Sequence, residues 1–306
     1  MPLVGFISAD GTTDQPEGQG HCSFDFALQL AKERHEAFPY PYPLVKGIVD
    51  SVQNRGEYIS ATSILHCLRA DYLKRRTPFY QSVDAVYPAF RGTLFHALME
   101  KNVPENGRIE EKIKRVHRGI EIGGTFDSLL TFQDTEDSSR YVLQDWKTTD
   151  NLPKYGAYPS HVAQVNIYRW LLGLDPEKTT LEVHYFSMKG HKACPLRESS
   201  TRGGRTSVSQ YWTDEQVEAY LDDRLVKLKA SLDANIPMPY ALVTEDEKWE
   251  CQYCPVRQEC AVGATQEQES IWRKNAGLPP AGTPADESTA WVALTESVKA
   301  RLEVAK

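Results

Sequence analysis

Apolar positions change their spacing several times along the chain, and each change predicts a different element. Residues 120–132 and 140–148 are rich in β-branched and aromatic side chains. They flank the polar run Asp134-Thr135-Glu136-Asp137-Ser138-Ser139, so the stretch reads as a β-hairpin. Both faces of this hairpin are apolar, with Phe126, Leu130, Val142 and Trp146 on one side and Leu129, Tyr141 and Leu143 on the other. A sheet buried on both sides needs helices above and below it. Helical spacing supplies them over 60–76 (N-cap Ser60 or Thr62), 88–101, 160–172 (capped by Ser160, stopped at Gly173) and 213–235. Thr213 and Gln216 have the spacing of a capping box. Further strands are expected at 108–118 and 180–188, and the order of elements predicts an α/β/α sandwich.

The ends of the chain read differently. Residues 1–20 are rich in Gly, Asp, Thr and Gln and predict a loose arm. A short helix over 23–37, carrying Phe26, Leu28, Leu30 and Ala31, is stopped by Phe38-Pro39-Tyr40-Pro41-Tyr42-Pro43. Arg202-Gly203-Gly204-Arg205 reads as a flexible loop, and the Pro-rich 236–240 leads into a group of cysteines. An amphipathic helix is expected over 288–305 after a Pro/Gly/Ala linker. The expected organisation is therefore 1–58, 59–264 and 265–306. With 306 residues, 41% hydrophobic and 25% charged, the chain can bury a normal core in one large domain or two modest ones. A net charge of −7 argues against a basic coat, while leaving room for a local basic groove. No run of about 18 apolar residues exists, so no membrane span is expected. Residues 1–20 lack the pattern of a secretory signal, which points to the cytoplasm, or to that of an infected cell if the source is viral.

Candidate chemistry starts at the hairpin. Centring its turn at Glu136 sets Asp127 directly opposite Asp145. Cross-strand neighbours lie roughly 4.5–5.5 Å apart, where like charges destabilise unless a cation sits between them. Lys147, two residues beyond Asp145, projects from the same face. Two carboxylates and a lysine around Mg2+ or Mn2+ would polarise a phosphodiester and activate a water. The plainer reading is an exposed ion pair on a surface hairpin. His96 lies on the 88–101 helix, with Ala89 and Gly92 on its face to let it approach a sheet closely. A lone helical histidine is more often packed than ligating, though an imidazole favours Mn2+ over Mg2+. Gln164 and Tyr168 share one face of the 160–172 helix, either as a polar stripe or as groups reaching Lys147, a phosphate and the strand that carries it.

Cys251, Cys254 and Cys260 form C-x2-C-x5-C, and Cys67 lies far upstream, while Cys22 and Cys194 stand alone. In a reducing compartment such a cluster points to a metal rather than to disulfides. Four thiolates suit tetrahedral zinc or a [4Fe–4S] cluster, and the spacing does not separate the two.

In this order the motifs resemble the RecB-like branch of the PD-(D/E)XK nucleases, and within it the CRISPR-associated iron–sulfur exonucleases. The parts are Ile59-Ser60-Ala61-Thr62-Ser63 with Cys67-Leu68-Arg69, His96, Gly124-x-x-Asp127, Asp145-x-Lys147, Gln164-x3-Tyr168 and the cysteine run. They span roughly two thirds of the chain, from Ile59 to about Ala261. The family often has Glu where Asp145 stands, which its motif allows. The resemblance implies a restriction-endonuclease-like α/β/α sandwich around a mixed central sheet, with a helical iron–sulfur region joining its N- and C-terminal parts. It implies that His96, Asp127, Asp145 and the Trp146 carbonyl bind Mn2+ or Mg2+. Lys147 would be catalytic with Gln164 and Tyr168 in support, and Cys67, Cys251, Cys254 and Cys260 would hold [4Fe–4S]. The implied activity is DNA exonuclease, acting on single strands or ends. The implied settings are CRISPR adaptation with the integrase complex, phage recombination or DNA repair, with homo-oligomers among the partners.

Charge suggests a DNA path over Arg69, Lys74, Arg75, Arg76 and Arg91, with Lys112, Lys114, Arg115 and Arg118 on the following strand. Tyr72, Phe79 and Tyr80 are placed to stack bases. Because Glu110, Glu111 and Glu121 interleave, the plainer reading is a solvated face. Two rivals to an enzyme remain: a non-catalytic DNA-end-binding or assembly module of the same fold, and a zinc-stapled variant.

Overall fold

Residues expected to form a loose arm make a strand instead. In the structure, a computed structural model describing residues 3–15, 20–36, 38–52, 59–135, 138–202, 205–239, 242–260 and 284–304, the chain begins with β1 (Leu3–Ile7) and β2 (His21–Ser23). There follow α1 (Phe24–Glu33), α2 (Tyr42–Ser51), β3 (Ile59–Ser60), α3 (Ala61–Leu65), α4 (Leu68–Arg76), β4 (Phe79–Gln81) and α5 (Val83–Met99). Next come β5 (Gly107–His117), β6 (Ile120–Thr135), β7 (Ser138–Thr148), α6 (Pro159–Leu172), β8 (Thr179–Ser187) and β9 (Gly190–Pro195). β10 (Ser200–Arg202), β11 (Arg205–Ser207) and α7 (Asp214–Ala234) lead to the cysteines, and a last helix covers Pro284–Val304. The expected linker over 265–283 lies outside the described residues. No helix among those described is long and apolar enough to cross a membrane.

Contacts divide the chain into two units that do not follow its linear order. One comprises the described residues of Met1–Glu57, His66–Phe90 and Val226–Val304. Here β1 pairs antiparallel with β2 and parallel with β4. Leu3, Phe6, Leu30, Phe38, Val45 and Ile48 close a small core under it, which is why the first residues are not a loose arm. Ser23 caps α1 by accepting the Phe26 N–H at 3.2 Å. The helix expected to run unbroken over 60–76 is interrupted at His66–Cys67. Cys67 takes the N-cap position of α4, which directs its thiol away from a helical face.

The second unit comprises the described residues of Tyr58–Leu65 and Arg91–Leu225. Its mixed sheet runs β3-β6-β7-β8-β9, with β5 also on β6. β3 is parallel to β6 and β7 to β8, while β5–β6, β6–β7 and β8–β9 are antiparallel. Adjacent residues of β8 face opposite ways: Phe186 meets the Phe95 ring of α5 at 4.5 Å, and Tyr185 meets His161 of α6. The two helices therefore cover opposite faces of the sheet, as the apolar hairpin required. β9 was not foreseen, and α5 starts at Val83 rather than at Pro88, which sits inside it. α6 begins with Pro159 at its first turn and Tyr158 at the cap, not with Ser160, and it ends at Gly173 with φ 65°. The Thr213–Gln216 capping box forms in both directions, at 2.9 and 3.3 Å.

Candidate active site

The site lies where β6 and β7 part. Ser128 pairs with Gln144 and Leu129 with Leu143, the register obtained by centring the turn at Glu136. Continued by one residue, that register sets Asp127 opposite Asp145. Pairing with β7 stops at Ser128, and the same edge of β6 is taken up by β3 only at Gly123. Asp127 therefore sits in a gap between two partners. Its carboxylate accepts the backbone N–H of Trp146, replacing the ladder bond lost where the strands separate.

A second carboxylate arrives from the other side. Ile109 pairs with Ser128 and Glu111 with Phe126, which leaves Glu110 across from Asp127. Glu110 drops out of the ladder with φ 54°, an unusual conformation for a non-glycine residue. It meets His96 Nδ1, which also lies 3.5 Å from Asp127. One donor atom from each of His96, Glu110 and Asp127 can be chosen so that all lie within 4.8 Å of one another. Gly92, one turn before His96 on α5, faces the sheet, where a Cβ would make ordinary contact with Thr148 Oγ1 at 3.4 Å.

Glu110 was read in the sequence as part of a solvated stripe and not as a ligand. The signal was present: centring the β5–β6 turn at Arg118-Gly119 would have placed Glu110 opposite Asp127.

Asp145 is fully buried, with Oδ1 bound to Lys147 Nζ at 2.8 Å. Its Oδ2 is buried and has no hydrogen-bond partner among the described residues. Burial of a carboxylate oxygen without a donor is costly. Burial first, and Asp145 next, push Asp127 up to about 7, against the pull of Lys147, His96 and the Trp146 N–H. Asp145 is also raised, chiefly by burial. Lys147 is raised because Asp145 and Asp127 together outweigh its own burial. For His96, burial lowers the pKa, but Glu110 and Asp127 together raise it by more, for a net rise. This donor set, two or three carboxylates and an imidazole around an unsatisfied oxygen, fits a divalent cation.

Gln164 and Tyr168 share a buried face of α6, with Gln164 Nε2 donating to the Tyr168 hydroxyl at 3.1 Å. Burial pushes that hydroxyl up to about 12, although Lys147 pulls it down. Tyr168 fits only because residue 124 is glycine: a Cβ there would come within 2.6 Å of its ring.

The cysteines form a separate site in the other unit. Cys67, Cys251, Cys254 and Cys260 line one cavity of about 230 Å³, with Lys74 and Glu250 at its wall. Burial pushes the Cys67 thiol up to about 11 and also raises Cys254. Arg69 Nε donates to Cys260 Sγ at 3.3 Å, and its Nη1 donates to the Met238 carbonyl at 2.7 Å. Cys22 and Cys194 are buried elsewhere.

This corrects part of the expected DNA path. Arg69 and Tyr72 are buried, Arg69 by the cysteine cavity and Tyr72 with its hydroxyl on Asn235. Arg75 is paired with Asp71 at 2.7 Å, and Arg91 with Asp150 at 2.7 Å. Arg115 stacks on Trp170 at 4.0 Å, and Arg118 is paired with Asp222. Of these arginines only Arg69 is buried, where a guanidinium needs partners within the protein. Arg76 remains exposed.

The profile of the PD-(D/E)XK nuclease superfamily matches residues 103–261, just over half of the chain. The chain belongs to the PD-(D/E)XK nuclease superfamily. Nucleases of this superfamily use divalent metals such as Mg2+ or Mn2+, and the restriction-endonuclease-like fold expected from the motifs agrees with the mixed sheet and its helices. The chain is also similar to the crystal structure of SSO0001, at 17% identity and a TM-score of 0.46, over 72% of this chain and 95% of that one. No curated protein sequence matches it.

Proposed function

We propose that this nuclease is a metal-dependent DNA exonuclease acting on single strands or ends, with a [4Fe–4S] cluster in its cysteine cavity. The observation that carries the nuclease site is the buried, unsatisfied Asp145 Oδ2 beside Asp127, Glu110 and His96. His96, Glu110, Asp127, Asp145 and the Trp146 carbonyl would hold Mn2+ or Mg2+. When bound, such an ion supplies Lewis-acid polarisation of the phosphate and a more acidic water. Lys147 is held as an ammonium by Asp145 and Asp127. That suits it to stabilising negative charge as the phosphodiester is attacked, rather than to taking up a proton. Gln164 and Tyr168 support Lys147 from α6. Exonuclease direction toward single strands, and a place in CRISPR adaptation, phage recombination or repair, are supported by the order of the sequence motifs.

For the cluster, the support is the cavity. All four predicted cysteines line it, and the Arg69 N–H on Cys260 sulfur is the kind of hydrogen bond that tunes such clusters. The preference for a cluster over zinc rests on the resemblance of the motifs to the iron–sulfur exonucleases. The cluster would clasp α4 to the segment around Cys251–Cys260 within its own unit.

The decisive assay incubates end-labelled single-stranded DNA with Mn2+ and either the wild-type chain or Lys147→Ala. Loss of about 10²–10⁴-fold in rate is expected. Equal degradation by both would overturn the catalytic assignment of Lys147, and degradation by neither would leave the DNA-end-binding reading.

A further inference from the structure

The face of the sheet that carries Lys147 continues outward from it. Register sets Tyr185 of β8 beside Lys147, and Lys192 of β9 beside Tyr185, so three side chains form one row across three strands. Tyr185 is fully buried, and its hydroxyl accepts the Tyr158 N–H at 3.0 Å. The Tyr158 ring meets the Tyr185 ring edge-on at 5.7 Å and is itself 47% exposed. Tyr155, in the same loop, is 82% exposed, with Lys154 Nζ 5.1 Å from its ring centre.

Cations surround these rings. Lys192 Nζ donates to the carbonyls of Pro153 at 2.6 Å and Lys154 at 3.2 Å, tying the loop to β9. Arg197 joins Tyr155 and Lys192 around a cavity of about 160 Å³. The one carboxylate of residues 149–158, Asp150, is engaged by Arg91. Exposed aromatic faces among lysine and arginine suit an unpaired strand, whose bases offer π-faces and whose phosphates need cations. A duplex keeps its bases stacked on each other and offers phosphates alone.

We propose that Lys154, Tyr155, Tyr158 and Arg197 form a landing rim for single-stranded DNA, continuous with the row that leads to Lys147. The rim rests on the nuclease reading above and adds the residues that select the strand.

The test is fluorescence anisotropy of a labelled oligo-dT strand on the full-length Lys147→Ala chain, so that the strand is not degraded. Adding Tyr155→Ala is expected to weaken binding about tenfold, and Tyr155→Trp to keep it, since indole also stacks. Arg197→Ala is expected to lower the slope of log affinity against log salt by about 0.7, one phosphate's share on a single strand. With Lys147 intact, Tyr155→Ala should raise KM by about tenfold and leave kcat within about twofold. Tyr155 is exposed, so an unchanged melting temperature is expected for each substitution and confirms that the fold is kept. Binding unchanged by Tyr155→Ala, or an equal loss on duplex DNA, overturns the rim while the nuclease reading stands. Nuclease activity that survives Lys147→Ala overturns the active site instead, and the anisotropy series then judges the rim alone.

Discussion

The carboxylate site and the cysteine cavity both gather metal-binding side chains, but from opposite directions. His96, Glu110, Asp127, Asp145 and Lys147 come from one helix and three strands, and meet only because β6 and β7 separate at Ser128. Cys251, Cys254 and Cys260 are neighbours in sequence, and only Cys67 must be brought to them. The electrostatics differ in the same sense. In the carboxylate site Asp127 and Asp145 are buried beside the half-buried Lys147, leaving an oxygen unsatisfied. Around the cysteines, burial raises the Cys67 and Cys254 thiols, so the proposed cluster would have to displace their protons. The first site holds charge in tension, as a reaction at phosphate requires. The second gathers the four sulfurs proposed above to hold a cluster.

Substitutions should separate the two sites, with the largest effect at the carboxylates. Asp145→Asn or Glu110→Gln should lower the rate on single-stranded DNA by at least about 10²-fold while the protein stays folded, because each removes a metal-facing charge. Full activity in Glu110→Gln, measured across a Mn2+ titration, would remove Glu110 from the ligand set. Cys254→Ser should abolish the brown absorbance near 400 nm of anaerobically purified protein and lower its melting temperature. Cys22→Ser should leave the absorbance unchanged. Colourless wild-type protein carrying one zinc per chain would overturn the cluster and with it this half of the comparison.

Smaller effects concern protons and packing. Asp127 titrates near 7 in the folded chain against an ordinary 3.8, so its proton is bound more tightly folded than unfolded. Its contribution to stability is therefore full below about pH 4 and is lost as pH rises through about 7. A divalent cation competes with that proton. The rise in melting temperature on adding Mn2+ should be larger at pH 8 than at pH 6, and the difference should shrink in Asp127→Asn to the share that His96 contributes. An equal rise at both pH values would show that metal and proton do not compete at Asp127. Last, Gly124→Ala should displace the Tyr168 ring, costing about 1–3 kcal/mol of stability as an overpacked contact. Denaturant melts measure that cost, and an unchanged midpoint would mean that Tyr168 has room to move.

Much of the site was legible in the sequence because it depends on local pattern. The polar turn centred at Glu136 fixed the β6–β7 register, and with it the facing of Asp127 and Asp145. The C-x2-C-x5-C spacing announced one shared ligand site, and Gly173 marked the end of α6 through its left-handed φ. Helix spacing put Gln164 and Tyr168 on one face without any knowledge of what they faced.

Tertiary structure decided what depends on distant segments. Glu110 looks like any charge in an alternating strand. Only the pairing of β5 with β6, and the loss of ladder bonds around Asp127, turn it toward His96. Arg69 and Tyr72 look like surface groups on a basic helix, and burial made one a donor to Cys260 sulfur and the other a packed ring. Leu3–Ile7, an apolar run at the head of a polar stretch, forms a strand because β4, more than seventy residues later, offers a parallel edge. Sequence by itself determined which chemistry is present, since periodicity and spacing are properties of neighbouring residues. The fold decided which charges remain unsatisfied, because desolvation depends on every segment packed around a group, however far away in the chain.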